Sequence, residues 1–198
     1  MIKKEIQQIC REYNINNYYI NDDMSVNVNE SVSFYRKRIN KIPINFNIVR
    51  GDFDCGANNL EYLNTNIPER VGANFFCDKN QLKELNNIPK YVRGSFQCHQ
   101  NNIERIDDLS NYIGQEINYD NNNIRTLDNF SSKISIKNNP IEVIWELFEN
   151  YNYIDYFNEL DIIQDDGKVV ILERLNYFLT DIGKEEVTKD DIKNYKVI

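Results

Sequence analysis

The pattern V-x-x-x-F-x-C-x-x-N-x-L-x-x-L recurs along this 198-residue chain every 21 or 22 residues. A grid of apolar columns at that period marks stacked units, none of which can bury its apolar side alone. The residue that is Cys in the clearest copies serves as anchor: Phe34, Cys55, Cys77, Cys98, Tyr119 and Ile136. Two residues earlier stand Val32, Phe53, Phe75, Phe96, Ile117 and Ile134, and five later stand Ile39, Leu60, Leu82, Ile103, Ile124 and Ile141. Ile42, Leu63, Leu85, Ile106 and Leu127 follow eight after the first five anchors; Val28, Val49, Val71, Val92, Ile113 and Phe130 lie six before. Asn recurs three after the anchor as Asn58, Asn80, Asn101, Asn122 and Asn139, with Lys37 the exception.

The core F-x-C-x-x-N-x-L-x-x-L, as in Phe75, Cys77, Asn80, Leu82 and Leu85, resembles the leucine-rich repeat, with Cys and Phe at two of its leucines. Ile-Pro at 67–68 and 88–89 resembles the compact bacterial subtype, whose outer side is extended instead of helical. The likeness covers residues 26–141. It implies one short parallel strand per repeat on a concave face and an internal ladder of Asn side chains bonded to backbone. Three departures stand out: Lys37, a last interval shortened to 17 residues, and no further Ile-Pro after Pro89. The expectation is an α/β repeat solenoid of about six rungs, with a helix and β-hairpin cap at 1–30, repeats at 31–140 and a helical region at 141–198.

The ends carry their own signals. Ile2, Ile6 and Ile9 share helical spacing over 2–12, and Asn21-Asp22-Asp23-Met24 between Tyr18–Ile20 and Ser25–Val28 reads as a hairpin turn. Asn139 is a candidate N-cap, Pro140 suits the first helical turn, and Ile141, Ile144, Trp145 and Phe148 form an apolar stripe with Trp145 as a core plug. Helices are expected near 153–160, 169–181 and 188–196, the last opened by Thr188 and Asp191 in capping-box spacing, with Asp165-Asp166-Gly167-Lys168 as a turn between helices.

Composition narrows the functions. A net charge of −8 and a pI near 4.8 argue against duplex nucleic acid, which is bound through clustered Lys and Arg. No apolar run approaches the roughly 18 residues of a membrane helix, so no membrane partner is expected and the compartment inferred is the cytoplasm. The abundance of Asn, Ile, Lys and Tyr fits an AT-rich coding sequence such as a phage or low-GC bacterium carries. Cys55, Cys77 and Cys98 are 22 and 21 residues apart, unlike the close pairs of structural zinc sites. A column that also accepts Phe, Tyr and Ile reads as reduced core thiols, and neither a metal nor a cofactor is expected.

Strand alternation then says what faces outward. If each anchor and the residue two before it point inward, three columns point out: Ser31, Asp52, Asn74, Ser95, Glu116 and Lys133; Ser33, Asp54, Phe76, Gln97, Asn118 and Ser135; Tyr35, Gly56, Asp78, His99, Asp120 and Lys137. The candidate partner-binding residues are Tyr35, Asp52, Asp54, Phe76, Asp78, Gln97, His99, Glu116, Asn118 and Asp120. They form a negative patch suited to a protein with a basic surface, with Phe76 as hydrophobic anchor. Asp78, His99 and Asp120 on consecutive rungs also pose a metal or acid/base trio, which an open sheet and the lack of an accompanying nucleophile or phosphate loop disfavour. No catalytic residue is assigned. The leading function is a non-enzymatic protein-binding module, a phage or bacterial factor that sequesters or inhibits a host protein. Two alternatives remain open: a substrate-recruiting arm like that of leucine-rich-repeat ubiquitin ligases, although residues 141–198 contain neither Cys nor His, and a structural, self-associating protein. A monomer or weak homo-oligomer is expected.

Overall fold

The computed structural model describes residues 1–106, 112–128 and 133–198, so Phe130, assigned above to an apolar column, lies outside the described residues. Among those described, each of the first five rungs contributes a short strand to each of two sheets, and the sixth contributes one, Ile134–Ser135. The Phe-side sheet stacks Val32–Ser33, Phe53–Asp54, Phe75–Phe76, Phe96–Gln97, Ile117–Asn118 and Ile134–Ser135 in register. The Val-side sheet begins with an antiparallel hairpin, Tyr18–Ile20 on Val26–Val28. It continues in parallel through Phe46–Val49, Arg70–Val71, Tyr91–Val92 and Tyr112–Ile113. The chain is a β-solenoid of about five turns with helices at both ends. The column six before each anchor is therefore a second parallel sheet, where the resemblance implied one strand per repeat.

The core fills the space between these sheets. Val49, Val71, Val92, Phe53, Phe75, Phe96, Cys55, Cys77 and Cys98 are fully buried. The Phe75 ring lies 5.7 Å from Phe53, stacked, and 5.0 Å from Phe96. At the corner between the sheets Gly72 is required for close approach: a Cβ there would sit 2.1 Å from the Arg50 carbonyl oxygen of the rung below.

Rungs are joined along a third line by buried Asn. Asn101 Oδ1 accepts the Leu82 amide at 3.1 Å, and its Nδ2 donates to the carbonyls of Cys77 at 3.1 Å and Cys98 at 3.0 Å. Asn58, Asn80, Asn122 and Asn139 repeat this bridge. Each takes an amide from the rung before and ties the anchor carbonyls of both rungs. Lys37 breaks the column because the first rung has no predecessor to bond. One residue before the ladder the chain turns through left-handed backbone in every rung, at Arg36, Ala57, Lys79, Gln100, Asn121 and Asn138.

Both ends close the core, with corrections to the expected elements. Helix Lys3–Glu12 buries Ile6 and Cys10, while Ile2 is exposed just ahead of the helix. Tyr13 meets Phe34 edge-on at 4.9 Å. Asn139 does not serve as an N-cap: its side chain is the last ladder member, and the short helix Glu142–Trp145 follows without a side-chain cap. Trp145 packs against the core, 5.4 Å from Phe148. Helix Ile154–Glu159 follows a single 3-10 turn, but helix Leu172–Asp181 starts only after strand Val169–Val170. That strand pairs with Ile163–Gln164, so Asp165–Lys168 is a hairpin turn. The helix expected at 188–196 is absent. Thr188 donates its hydroxyl to Asp191 at 2.7 Å in a turn, and Lys196–Val197 then pairs in parallel with Val169–Val170. Tyr195 Oη donates to the Arg125 carbonyl at 2.8 Å and fastens this end to the solenoid.

Replacing Asn101 with Ala orphans the Leu82 amide and leaves the Cys77 and Cys98 carbonyls with one Asn donor each, Asn80 and Asn122; it should cost about 2 kcal/mol, a fall in Tm of roughly 4–8 °C by calorimetry. Lys37→Asn, with no rung before it, should change stability by less than about 0.5 kcal/mol.

Candidate functional site

The outward columns of the Phe-side sheet lie on its outer side except at Gly56 and Asp78, which are buried, and most of their polar groups are bonded within the protein. In the column three before the anchors, a second ladder climbs the surface. Ser31 Oγ accepts the Asp52 amide at 3.0 Å, Asp52 Oδ1 accepts the Asn74 amide at 2.8 Å, and Asn74 Oδ1 accepts the Ser95 amide at 2.9 Å. Asp52 thus holds one rung on the next. In the column just before the anchors, side chains close a local turn: Ser33 Oγ takes the Tyr35 amide, Asp54 Oδ1 the Gly56 amide and Asn118 Oδ1 the Asp120 amide. Phe76 and Gln97 occupy the same column and close no such turn.

The acidic centre differs from a freely presented patch. Asp78 is buried, and its Oδ2 pairs with Lys79 Nζ at 3.2 Å. Lys79 stands two after its anchor, and its left-handed backbone places the ammonium beside that carboxylate. His99 Nε2 lies 3.6 Å from Asp78 Oδ2, beyond hydrogen-bond range, and Nδ1 has no hydrogen-bond partner among the described residues. Asp120 turns the other way: its Oδ1 accepts Ser135 Oγ and the Lys137 amide, each at 2.7 Å. Asp78, His99 and Asp120 therefore share a column without converging on one point. Among the described residues no group of three or more His, Cys, Asp or Glu side chains could hold a metal ion.

Asp54 and Asp78 flank Gly56, where a Cβ would lie 3.1 Å and 3.0 Å from their respective Oδ1 atoms. Burial pushes the Asp54 carboxyl up from its ordinary pKa, and the charges of Asp78 and Asp52 push the same way against the Gly56 amide, which lowers it. Tyr35 is exposed with the Arg36 guanidinium 5.1 Å over its ring, and Glu116 is exposed. Gln97, Asn118 and Phe76 are partly exposed.

Phe76 is distinctive. Among the described residues it belongs neither to the buried core nor to the partly buried apolar side chains packed against that core, although it lies in register between Asp54 and Gln97. Counting outward residues on the Phe-side strands alone overlooked two sets: Arg36 and Lys79 beyond the strand, and Arg50, Arg70, Tyr91, Arg93 and Tyr112 on the Val side. The same period-two reading applied to the second apolar column identifies the latter.

The three anchor cysteines and Cys10 are free and buried. Burial raises all four thiols, with Cys55, Cys77 and Cys98 shifted far above the ordinary range. No helix of the described residues is long and apolar enough to cross a membrane. Comparison with protein-family models, curated proteins and solved structures finds no match to this chain.

Two outcomes are expected. A chromogenic disulfide reagent should leave the thiols untouched in the native protein and titrate four after denaturation; rapid labelling before unfolding would contradict the buried ladder. Because the folded Asp54 binds its proton more tightly than the unfolded one, its charge lowers stability as pH rises through the raised pKa. Asp54→Asn keeps an oxygen for the Gly56 amide, as Asn118 does for Asp120, and should raise Tm at pH 7 by about 2 °C. Melting curves of the two proteins should converge as the pH falls through that pKa and wild-type Asp54 becomes protonated.

Proposed function

We propose that the chain is a non-enzymatic protein-binding module of the leucine-rich-repeat kind, which holds a partner on the outer face of the Phe-side sheet. The Asn ladder supports the family reading, since bonding of Asn to the backbone of neighbouring turns is what that resemblance implies. The reading of a rigid binding surface follows from the same feature: the ladders fix the rungs before any partner arrives, so little ordering has to accompany association. The observation that carries the site is Phe76, a large apolar side chain in a polar column, not packed on the core. Burial of such a ring by a partner contributes to affinity without cost to the fold.

Around Phe76 stand groups with unused capacity: the Gln97 amide, the Glu116 carboxylate and Tyr35. Asp52, Asp54, Asp78 and Asp120 add negative charge, each with one carboxylate oxygen already bonded within the protein. A basic protein surface is the fitting complement, and charge acts there on association rate and selectivity more than on affinity. The wider role proposed is that of a phage or bacterial factor acting in the cytoplasm, sequestering or inhibiting a host protein by occupying its basic surface. The chain's strong negative charge sets duplex nucleic acid aside as its partner.

Phe76→Ala should leave Tm unchanged within about 1 kcal/mol of stability and weaken partner binding by roughly 30-fold. Immobilised wild type and variant are to be compared by pull-down from native-host lysate, with mass spectrometry and calorimetry on the retained protein. A partner held equally by both would move the site off this face.

A further inference from the structure

The outer face of the Val-side sheet has a chemistry opposite to the rest of the molecule. Its two outward columns read Asn27, Ile48, Arg70, Tyr91 and Tyr112, then Asn29, Arg50, Gly72, Arg93 and Gly114, with no Asp or Glu in either, in a chain of net charge −8. Arg50, Arg70, Arg93 and Tyr112 are exposed. Arg70 lies over the Tyr91 ring at 4.5 Å, and Tyr91 stacks on Tyr112 at 4.8 Å with the planes 11° apart. In the second column Arg and Gly alternate, so Arg50 and Arg93 stand two rungs apart, about 10 Å, on either side of Gly72. A groove of about 240 Å³ opens there, lined by Ile48, Arg50, Arg70, Gly72, Tyr91 and Arg93. Glu69, which precedes Arg70 in the chain, is engaged by Lys90 at 3.2 Å.

We infer that this groove is a second binding surface that takes an extended acidic polypeptide segment, its carboxylates bonded by the Arg50, Arg70 and Arg93 guanidinium groups. A guanidinium stacked on a ring keeps its in-plane N–H donors, so Arg70 is held flat on Tyr91 and still offers a fork to a carboxylate. Arg93 makes no side-chain hydrogen bond or ion pair among the described residues. Arg50 uses Nε on Asn29 Oδ1 at 3.0 Å, which orients the group and leaves its terminal nitrogens free. Gly72 leaves the floor without a side chain, so a peptide can approach the rung corner.

Single-stranded nucleic acid, the other polyanion that Arg and Tyr attract, is disfavoured by the stacking itself. Its binding surfaces offer ring faces to successive bases, whereas Arg70 covers one face of Tyr91 and Tyr112 the other. Three guanidinium groups in a strongly acidic chain also give a weak field for a phosphate backbone.

The test uses the full chain and a fluorescein-labelled oligoglutamate peptide, with oligothymidylate and inorganic phosphate in parallel arms, read by anisotropy and competition at low salt. Saturable peptide binding is expected, weakened at least tenfold by Arg93→Glu and by Arg50→Glu and falling with added salt, with circular dichroism showing both variants folded. Phe76→Ala should leave it unchanged, which separates this surface from the one proposed on the Phe side. Three results would each overturn the inference: no peptide binding, equal binding by folded Arg93→Glu and Arg50→Glu proteins, or tighter binding of oligothymidylate than of the peptide. Displacement of the peptide by millimolar phosphate as effectively as by unlabelled peptide would likewise reduce the groove to a general anion site and refute the peptide assignment.

Discussion

The buried Asn column is the constraint on which the rest of the solenoid depends. Strands of two residues close too few hydrogen bonds to hold a rung in place, and the left-handed turn after each anchor leaves carbonyls facing inward. One carboxamide meets both demands. Its oxygen takes an amide from the rung before, and its nitrogen donates to the anchor carbonyls of two rungs, as Asn101 does between Leu82, Cys77 and Cys98. A buried backbone group left without a partner costs about 1–3 kcal/mol, so the ladder converts what would be a row of penalties into the spacing of the stack. The apolar columns follow from that spacing. Once anchors sit one strand separation apart, Phe53, Phe75 and Phe96 stack on one another, and the thiols of Cys55 and Cys98 can reach the neighbouring carbonyls of Phe76 and Asn118 at 3.3 Å and 3.2 Å.

What the sequence makes legible is what repeats. The anchor columns, the Asn position, the hairpin at Tyr18–Val28 and the first helix all appear as spacing or local turn chemistry, and the structure has them. The second sheet is harder to see because a rung such as the third marks it by a single inward residue, Val71, whereas two inward residues, Phe75 and Cys77, mark the Phe side. Its pairing comes from the rung above and below, not from local propensity. The tail fails for the same reason in another form. Val169–Val170 pairs with Lys196–Val197 across a long sequence separation, and no local pattern announces it. Thr188 and Asp191 do form the hydrogen bond their spacing suggests, but that bond closes a turn whether or not a helix follows.

The candidate site was legible in direction and less so in availability. Alternation correctly sends Asp52, Asp54 and Asn118 out of the core, yet outward polar side chains on rungs only about 4.8 Å apart meet one another and the neighbouring amides. Ser31, Asp52 and Asn74 are bonded upward, rung to rung; Asp54 and Asn118 are bonded within their own turns. Asp78 is drawn in beside Lys79, a residue that strand alternation does not count because it lies past the strand on left-handed backbone. A polar column on a stacked sheet is thus partly framework, and an outward position becomes informative when its side chain does nothing for the stack.

That criterion treats both faces alike. On the Phe side it singles out Phe76, whose ring neither joins the core nor closes a turn. On the Val side it singles out Arg93, whose guanidinium is unbonded among the described residues, beside Arg70 on Tyr91. Framework residues are constrained by the rung spacing and must be small, amide-bearing or acidic to reach the next backbone amide; Ser, Asn and Asp fill those positions here. Arg, Tyr and Phe do not take that amide here; Arg70, Tyr91 and Tyr112 stack across rungs and Arg50 bonds Asn29, whereas Phe76 and Arg93 serve neither the amide ladder nor such a stack. The acidic residues that dominate the net charge belong in part to the framework, whereas among the Val-side arginines Arg50 and Arg70 each touch a neighbouring rung and Arg93 is left over. The charge of the whole chain is therefore a poor guide to its contacts, and the sign of each face has to be read from the side chains that the ladders leave over.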